Sequence, residues 1–166
     1  MSGPEAHEGF EQFVASRRAA LLRSAYLMTG DLHDADDLVQ VTLVKAVGAW
    51  DRIADRPEPY VRRILAREAT NRWRRRRWRE LPTADLPDSA ASTGRDPDDV
   101  DLLDRALATL SPRQRAVVVL RYYDDLTERD TADALGISVG TVKSHARDAL
   151  TRLRALVPEA AASLTP

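Results

Sequence analysis

Apolar residues along this chain recur every three or four positions, and nowhere do they alternate over enough length to argue for a strand. Phe10, Phe13, Val14, Leu21, Leu22, Ala25, Tyr26 and Leu27 predict a first helix with one buried face. Gly30 and Asp31 should end it, and residues 1–8 read as a loose end. A second helix is expected from Asp34, with Asp34, Asp36 and Asp37 complementing the positive end of the helix. Leu38, Val41, Leu43, Val44, Val47 and Trp50 give it more apolar positions than one buried stripe needs. That excess fits either a partner docked on the exposed side or a central helix covered by its neighbours. Arg56-Pro57-Glu58-Pro59 reads as a break, because proline disfavours helical geometry in the residue before it. A third helix is expected over 60–78, with Tyr60, Val61, Ile64, Leu65, Glu68 and Ala69 turned inward at its start.

Residues 81–99 contain three prolines, one glycine and many small or acidic residues without any period, the pattern of a flexible linker. Beyond it, Leu102, Leu103, Ala106, Leu107 and Leu110 predict a short amphipathic helix. Ser111-Pro112-Arg113-Gln114 then marks a sharp start, with serine as cap, proline in the first turn and glutamine three residues after the cap. The helix that follows should bury Val117, Val118 and Leu120. Next comes a helix-turn-helix pattern: Thr127 caps a helix to Leu135, Gly136 supplies a tight or left-handed turn, and Ser138 caps a second helix. In that helix Val139, Val142, Ala146, Ala149, Leu150 and Leu153 form the inward stripe. Thr141, Ser144, His145 and Asp148 lie on the opposite arc, flanked by Lys143 and Arg147. Short polar groups there can reach base edges in a major groove while the cations meet phosphate. The plain alternative is a solvated amphipathic hairpin. The expected fold is all-α, with small helical domains at 9–80 and 101–157 joined by an acidic linker at 81–100.

Charge changes this picture more than overall composition does. The formal net charge of −1 conceals a segregation: residues 60–80 hold nine Arg against two Glu, and residues 81–104 hold seven Asp against one Arg. In Asn71-Arg72-Trp73-Arg74-Arg75-Arg76-Arg77-Trp78-Arg79, aromatics interleaved with guanidinium groups can stack on unpaired bases while the cations neutralise phosphate. A solvated basic face is the rival reading. The chain has no Cys, and His7, His33 and His145 are scattered, so neither a disulfide, a metal centre nor a cofactor is expected. Its 166 residues contain no nucleophile–base pair and no phosphate loop, which argues against an enzyme. No apolar run is long enough to enter a membrane and no signal pattern opens the chain, so a cytoplasmic protein is expected.

Three motifs in this order resemble a bacterial RNA polymerase sigma factor of the extracytoplasmic-function type, in particular the compact actinobacterial sigma-E-like subgroup. DADDLVQVTLVKAVGAW resembles the segment that binds the clamp of the large polymerase subunit. YVRRILAREATNRWRRRRWRE resembles the part that melts and reads the −10 element, within sigma region 2. LSPRQRAVVVLRYYDDLTERDTADALGISVGTVKSHARDAL resembles the −35 module of sigma region 4. The resemblance implies that Asp37, Leu38, Gln40 and Val41 meet the clamp. It places Arg67, Asn71, Arg72, Trp73 and Arg75 along the opened −10 strand, and Lys143, Ser144, Arg147 and Asp148 at the −35 element with Thr141 starting the recognition helix. Its implied partners are core RNA polymerase, through clamp and flap, promoter DNA and an anti-sigma factor. Three positions depart from the family pattern: Val41 where an acid is common, Arg67 where an asparagine commonly captures a flipped base, and Asp148 where a basic residue is common. A stand-alone helix-turn-helix repressor is the rival, and it leaves the clamp-like helix and the Arg/Trp run without a task.

Overall fold

The computed structural model describes residues 3–79 and 102–156, and every regular element among them is helical. The linker expected at 81–100, the stop at Pro158, the tail beyond it and the side chain of Trp78 lie outside the described residues.

Four helices build the first module: α1 (Gly3–Thr29), α2 (Leu32–Gly48), the single turn α3 (Trp50–Ile53) and α4 (Pro57–Arg79). Helix α1 starts well before Phe10, with Glu5 in its first turn where a negative charge suits the helix end. It stops at Gly30, whose φ of 75° is left-handed. Asp31 then caps α2, its Oδ1 accepting from the Asp34 amide at 2.9 Å, so α2 begins two residues before the expected Asp34. The expected break at Pro57 and Pro59 is instead the start of α4. Both prolines fall in the first turn, where backbone N–H groups lack an intrahelical acceptor anyway. Leu21, Ala25, Leu38, Val39, Val61 and Leu65 form the core between α1, α2 and α4. Trp50 on α3 pins the front of α1, with the Phe10 ring edge-on at 5.1 Å.

The second module comprises α5 (Leu102–Ala108), α6 (Pro112–Val118), α7 (Glu128–Leu135) and α8 (Val139–Leu156). The start of α6 is a full capping box: Ser111 Oγ accepts from the Gln114 amide, and Gln114 Oε1 accepts from the Ser111 amide, each at 3.2 Å. Helix α6 then widens into one π-helical stretch, Val119–Tyr123, sealed by the Asp124 amide donating to the Val119 carbonyl at 2.9 Å. Asp125 follows with a φ of 54°, turning the chain toward α7.

The two modules are seated against each other. One buried cluster takes Met28 and Ala66 from the first module and Val117, Leu120, Leu135 and Val142 from the second. The two expected modules are thus also joined by direct packing. No helix among the described residues is long and apolar enough to cross a membrane.

Candidate nucleic-acid and polymerase-binding surfaces

The helix-turn-helix forms through local chemistry. Thr127 caps α7, its Oγ1 accepting from the Asp130 amide at 3.0 Å. Gly136 takes a φ of 66°, the left-handed conformation that a side chain resists. Ser138 Oγ accepts from the Thr141 amide at 3.1 Å and starts α8. Val142, Ala146, Ala149 and Leu153 are buried as expected, whereas Val139, at the head of the stripe, is exposed.

The opposite side of α8 presents the expected residues. Lys143, Arg147 and Asp148 are exposed, while Thr141 and Ser144 are half-buried. The Thr141 hydroxyl is held 2.8 Å from that of Ser138, so it steadies the helix start. Lys143 Nζ lies 3.8 Å from Glu128 Oε2, and Arg147 Nε lies 3.8 Å from Asp148 Oδ1. Both pairs are long and solvated, and each can be exchanged for phosphate at little cost.

On α4 the expected residues divide. Arg72 Nη2 meets Asp34 Oδ1 at 2.8 Å and Asp37 Oδ2 at 3.4 Å, and Arg76 Nη2 meets Asp34 Oδ2 at 2.5 Å. Asp34 is buried, and two guanidinium groups supply the pairing that a buried carboxylate needs. These pairs fasten the basic half of α4 to the acidic start of α2. Asn71 Oδ1 accepts from Arg74 Nη2 at 3.5 Å, and Arg75 is exposed. Arg67 points to the second module, its Nη2 donating to the Asp133 carbonyl at 3.4 Å. Trp73 lines a cleft of about 210 Å³ between the modules, together with Met28, Leu110, Pro112 and Arg113. Glu68 is held by Lys45.

On α2 one expectation fails. Leu38 is 2% exposed and belongs to the core, so it cannot reach a partner's surface. Its neighbours on the same face are Ala35, Thr42 and Ala46, all buried. The outward face carries Asp37, Gln40 and Val41, and continues through two residues that the resemblance left out. These are Val44, 70% exposed, and Val47, 45% exposed. Both belong to the apolar excess read from the sequence, for which a docked partner and a cover of neighbouring helices are both open. Gln40 Nε2 donates to Asp36 Oδ2 at 2.7 Å, which orients its side chain along that face.

Two families of known proteins match this arrangement where the surfaces lie. Residues 13–79 match the model of sigma-70 region 2, and residues 101–153 match that of sigma-70 region 4. The RNA polymerase sigma-E factor of Streptomyces avermitilis is 46% identical over 149 residues, covering 87% of this chain and 83% of the relative. The chain is a sigma factor. It belongs with the extracytoplasmic-function group of actinobacteria and directs promoter-specific initiation by RNA polymerase. The Streptomyces coelicolor sigma-E factor is 43% identical, over 87% of this sigma factor and 84% of that one. Among solved structures it resembles RpoE of Bartonella quintana in complex with the anti-sigma factor NepR, with a TM-score of 0.69 and 25% identity over 90% of this chain and 97% of that one. It also resembles CnrH in complex with the cytosolic domain of CnrY, with a TM-score of 0.61 and 27% identity over 92% and 94% of the two chains.

The sigma factor buries two charged groups where its modules meet. Asp124, at the end of the π-helical stretch, accepts from Ser24 Oγ at 2.7 Å and pairs with Arg62 Nη1 at 2.5 Å. Burial still pushes its carboxyl above the ordinary carboxylate range, outweighing the Ser24 and Arg62 contacts, and nearby Glu58 pushes the same way. Arg115, whose Nε donates to the Leu27 carbonyl, is held below its ordinary value by burial, against the opposing pull of Asp104 and Tyr26. Sequence reasoning missed this site: Arg62, Arg115 and Asp124 stand within the quoted motifs, but nothing in those motifs brings them together with Ser24 and Leu27.

Proposed function

We propose that three faces of the sigma factor divide the work of initiation. Asp37, Gln40 and Val41, extended by Val44 and Val47, dock on the clamp of core polymerase, and Leu38 only holds that helix in place. Asn71, Arg72, Trp73 and Arg75, with Arg67 beside them, follow the opened −10 strand. Lys143, Ser144, Arg147 and Asp148 read the −35 duplex, with Thr141 fixing the start of α8. The division into a region 2 module to residue 80 and a region 4 module from residue 101 is part of this reading. The protein acts in the cytoplasm as a specificity subunit and carries no catalytic centre of its own.

The observation that carries the proposal is α8 itself: a rigidly capped helix with its apolar stripe buried and Lys143, Arg147 and Asp148 facing outward. Paired weak contacts on duplex and single strand reinforce each other once they sit on one polymerase, because the second becomes intramolecular. The two solved relatives are each bound by another protein, which supports an anti-sigma partner for this chain as well. Run-off transcription with actinobacterial core enzyme on a library of genomic fragments tests the reading. Initiation should appear at discrete sites only when the protein is added, and its absence from every fragment refutes the assignment of faces.

A further inference from the structure

The cleft along the seam between the modules is lined by both of them, and of its lining only Arg72 and Trp73 have a task in the proposed division of faces. Part of the lining is apolar: Met28 of α1, Ala69 and Trp73 of α4, and Leu110 and Ala116 of the second module. Met28, Leu110 and Ala116 are buried, so this wall lies deep. Four guanidinium groups share the same cleft, Arg72 and Arg76 on α4 and Arg113 and Arg115 on α6. Asp34 is the one acid in the lining among the described residues, and Arg72 and Arg76 already hold its two oxygens. Four cations against one anion leave the cleft with an excess of positive charge.

These cations have donors to spare. A guanidinium presents five N–H groups in a fixed fork. Arg72 and Arg76 engage Asp34 through Nη2, which leaves the rest of each fork for a second acceptor. The Arg113 guanidinium, half-buried, makes no hydrogen bond or ion pair with any described residue. Arg115 gives the Leu27 carbonyl its Nε, and burial works against its charge more than Asp104 and Tyr26 support it. An anion brought into the cleft offsets that imbalance. Size narrows the choice further: a volume of about 210 Å³ falls short of the roughly 300 Å³ at which pockets for drug-sized ligands begin. It suits a single ring with one small charged group.

We propose that the cleft is a binding site for a small aromatic anion: a flat ring against Met28, Trp73 and Leu110, and a carboxylate or phosphate head held by Arg113 and its neighbouring guanidinium groups. Charge-assisted bonds from a guanidinium fork fix the head, and contact with an aromatic face fixes the ring. Neither a neutral ring nor a bare ion satisfies both halves of the lining. The site stands without the assignment of α4 to the −10 strand, since Arg113, Arg115 and the buried apolar wall have no part in that assignment.

The test uses the full chain in phosphate-free buffer of low ionic strength, where ionic contacts are least screened. Isothermal titration calorimetry compares phenyl phosphate, benzoate, inorganic phosphate and benzyl alcohol. At least one of the two aromatic anions should bind saturably, with a Kd of about 1 mM or tighter, and the tighter of the two identifies the head group. Inorganic phosphate and benzyl alcohol should each bind at least about tenfold more weakly than that anion. Arg113→Ala should weaken its binding at least about tenfold, and Arg113→Lys should recover part of the loss. Ala108→Trp, at an exposed position of the lining, should block the cleft, and it answers the same question if circular dichroism shows that Arg113→Ala unfolds. No saturable binding of either aromatic anion up to about 10 mM overturns the site. Binding left unaltered by folded Arg113→Ala or by Ala108→Trp overturns its location, and equal binding of either control overturns the ligand class.

Discussion

At the scale of single residues, Leu38 and Val44 share a helix and do opposite things. The clamp motif names Leu38, but a motif records residue types and not the direction in which a side chain points. Helical spacing to Ala35, Thr42 and Ala46 already puts Leu38 on the inner face. Leu38→Asp should therefore unfold the first module, at a cost of at least about 3 kcal/mol, since it creates a cavity and buries an unpaired charge. Val44→Asp should leave the melting temperature nearly unchanged and lower retention of core polymerase in a pull-down. Equal melting of the two variants would contradict this account. Asp148 is the other informative position. An exposed acid on the groove side of α8 can accept from cytosine N4 and repels phosphate. Asp148→Arg should shift the preferred −35 bases in a selection from random duplexes while polymerase binding persists. An unchanged preference would remove Asp148 from the contact.

At the scale of elements, the caps were legible because they depend on neighbours in sequence. Ser111, Thr127, Gly136 and Ser138 each act within a span of a few residues, and each does what its chemistry announces. Gly136 decides the angle between α7 and α8. Gly136→Ala has open space for its methyl group but must accept a left-handed backbone, which costs about 1 kcal/mol. The denaturation midpoint should fall accordingly, and affinity for −35 duplex should fall with it if α8 tilts; an unaltered midpoint would show that the turn relaxes freely. Pro57 and Pro59 open α4 instead of breaking the chain, because the fixed φ and missing N–H of proline suit a first turn. The short α3 leaves no trace in the sequence pattern, since four residues are too few to show a period.

At the scale of the whole molecule, little of the seam could be read. Ser24 and Asp124 are separated by 100 positions, and the motif that contains Asp124 says nothing of a partner on the first helix. The makeup of residues 81–100 predicts a linker between two modules, and composition carries no information on whether linked bodies adhere. Adhesion here should depend on pH through Asp124, which faces Ser24, Arg62 and Glu58. Its carboxyl titrates above the ordinary range when the modules are seated. The stability it contributes is thus full below the ordinary carboxylate value and is lost as pH rises through the seated value. Asp124→Asn, neutral throughout, should hold the modules together at neutral pH at least as firmly as the wild type. It should also narrow the difference in melting temperature between mildly acidic and neutral buffer. A wider difference in the variant would show that Asp124 is not the titrating group.

The π-helical stretch at Val119–Tyr123 gives the fold a one-sided tolerance for length. It absorbs one more residue than an α-helical turn would, so the chain beyond it keeps the rotation at which Asp124 leaves the helix. Removing a single residue, Arg121 for example, should restore regular winding and leave the following residues close to their present rotation, whereas removing two should swing them by about 100°. After the double deletion the helix-turn-helix beyond could still assemble, yet its carboxylate would no longer arrive at Ser24 and Arg62. The doubly shortened chain should keep its helical circular dichroism while its scattering profile expands, and the singly shortened chain should scatter as the wild type does.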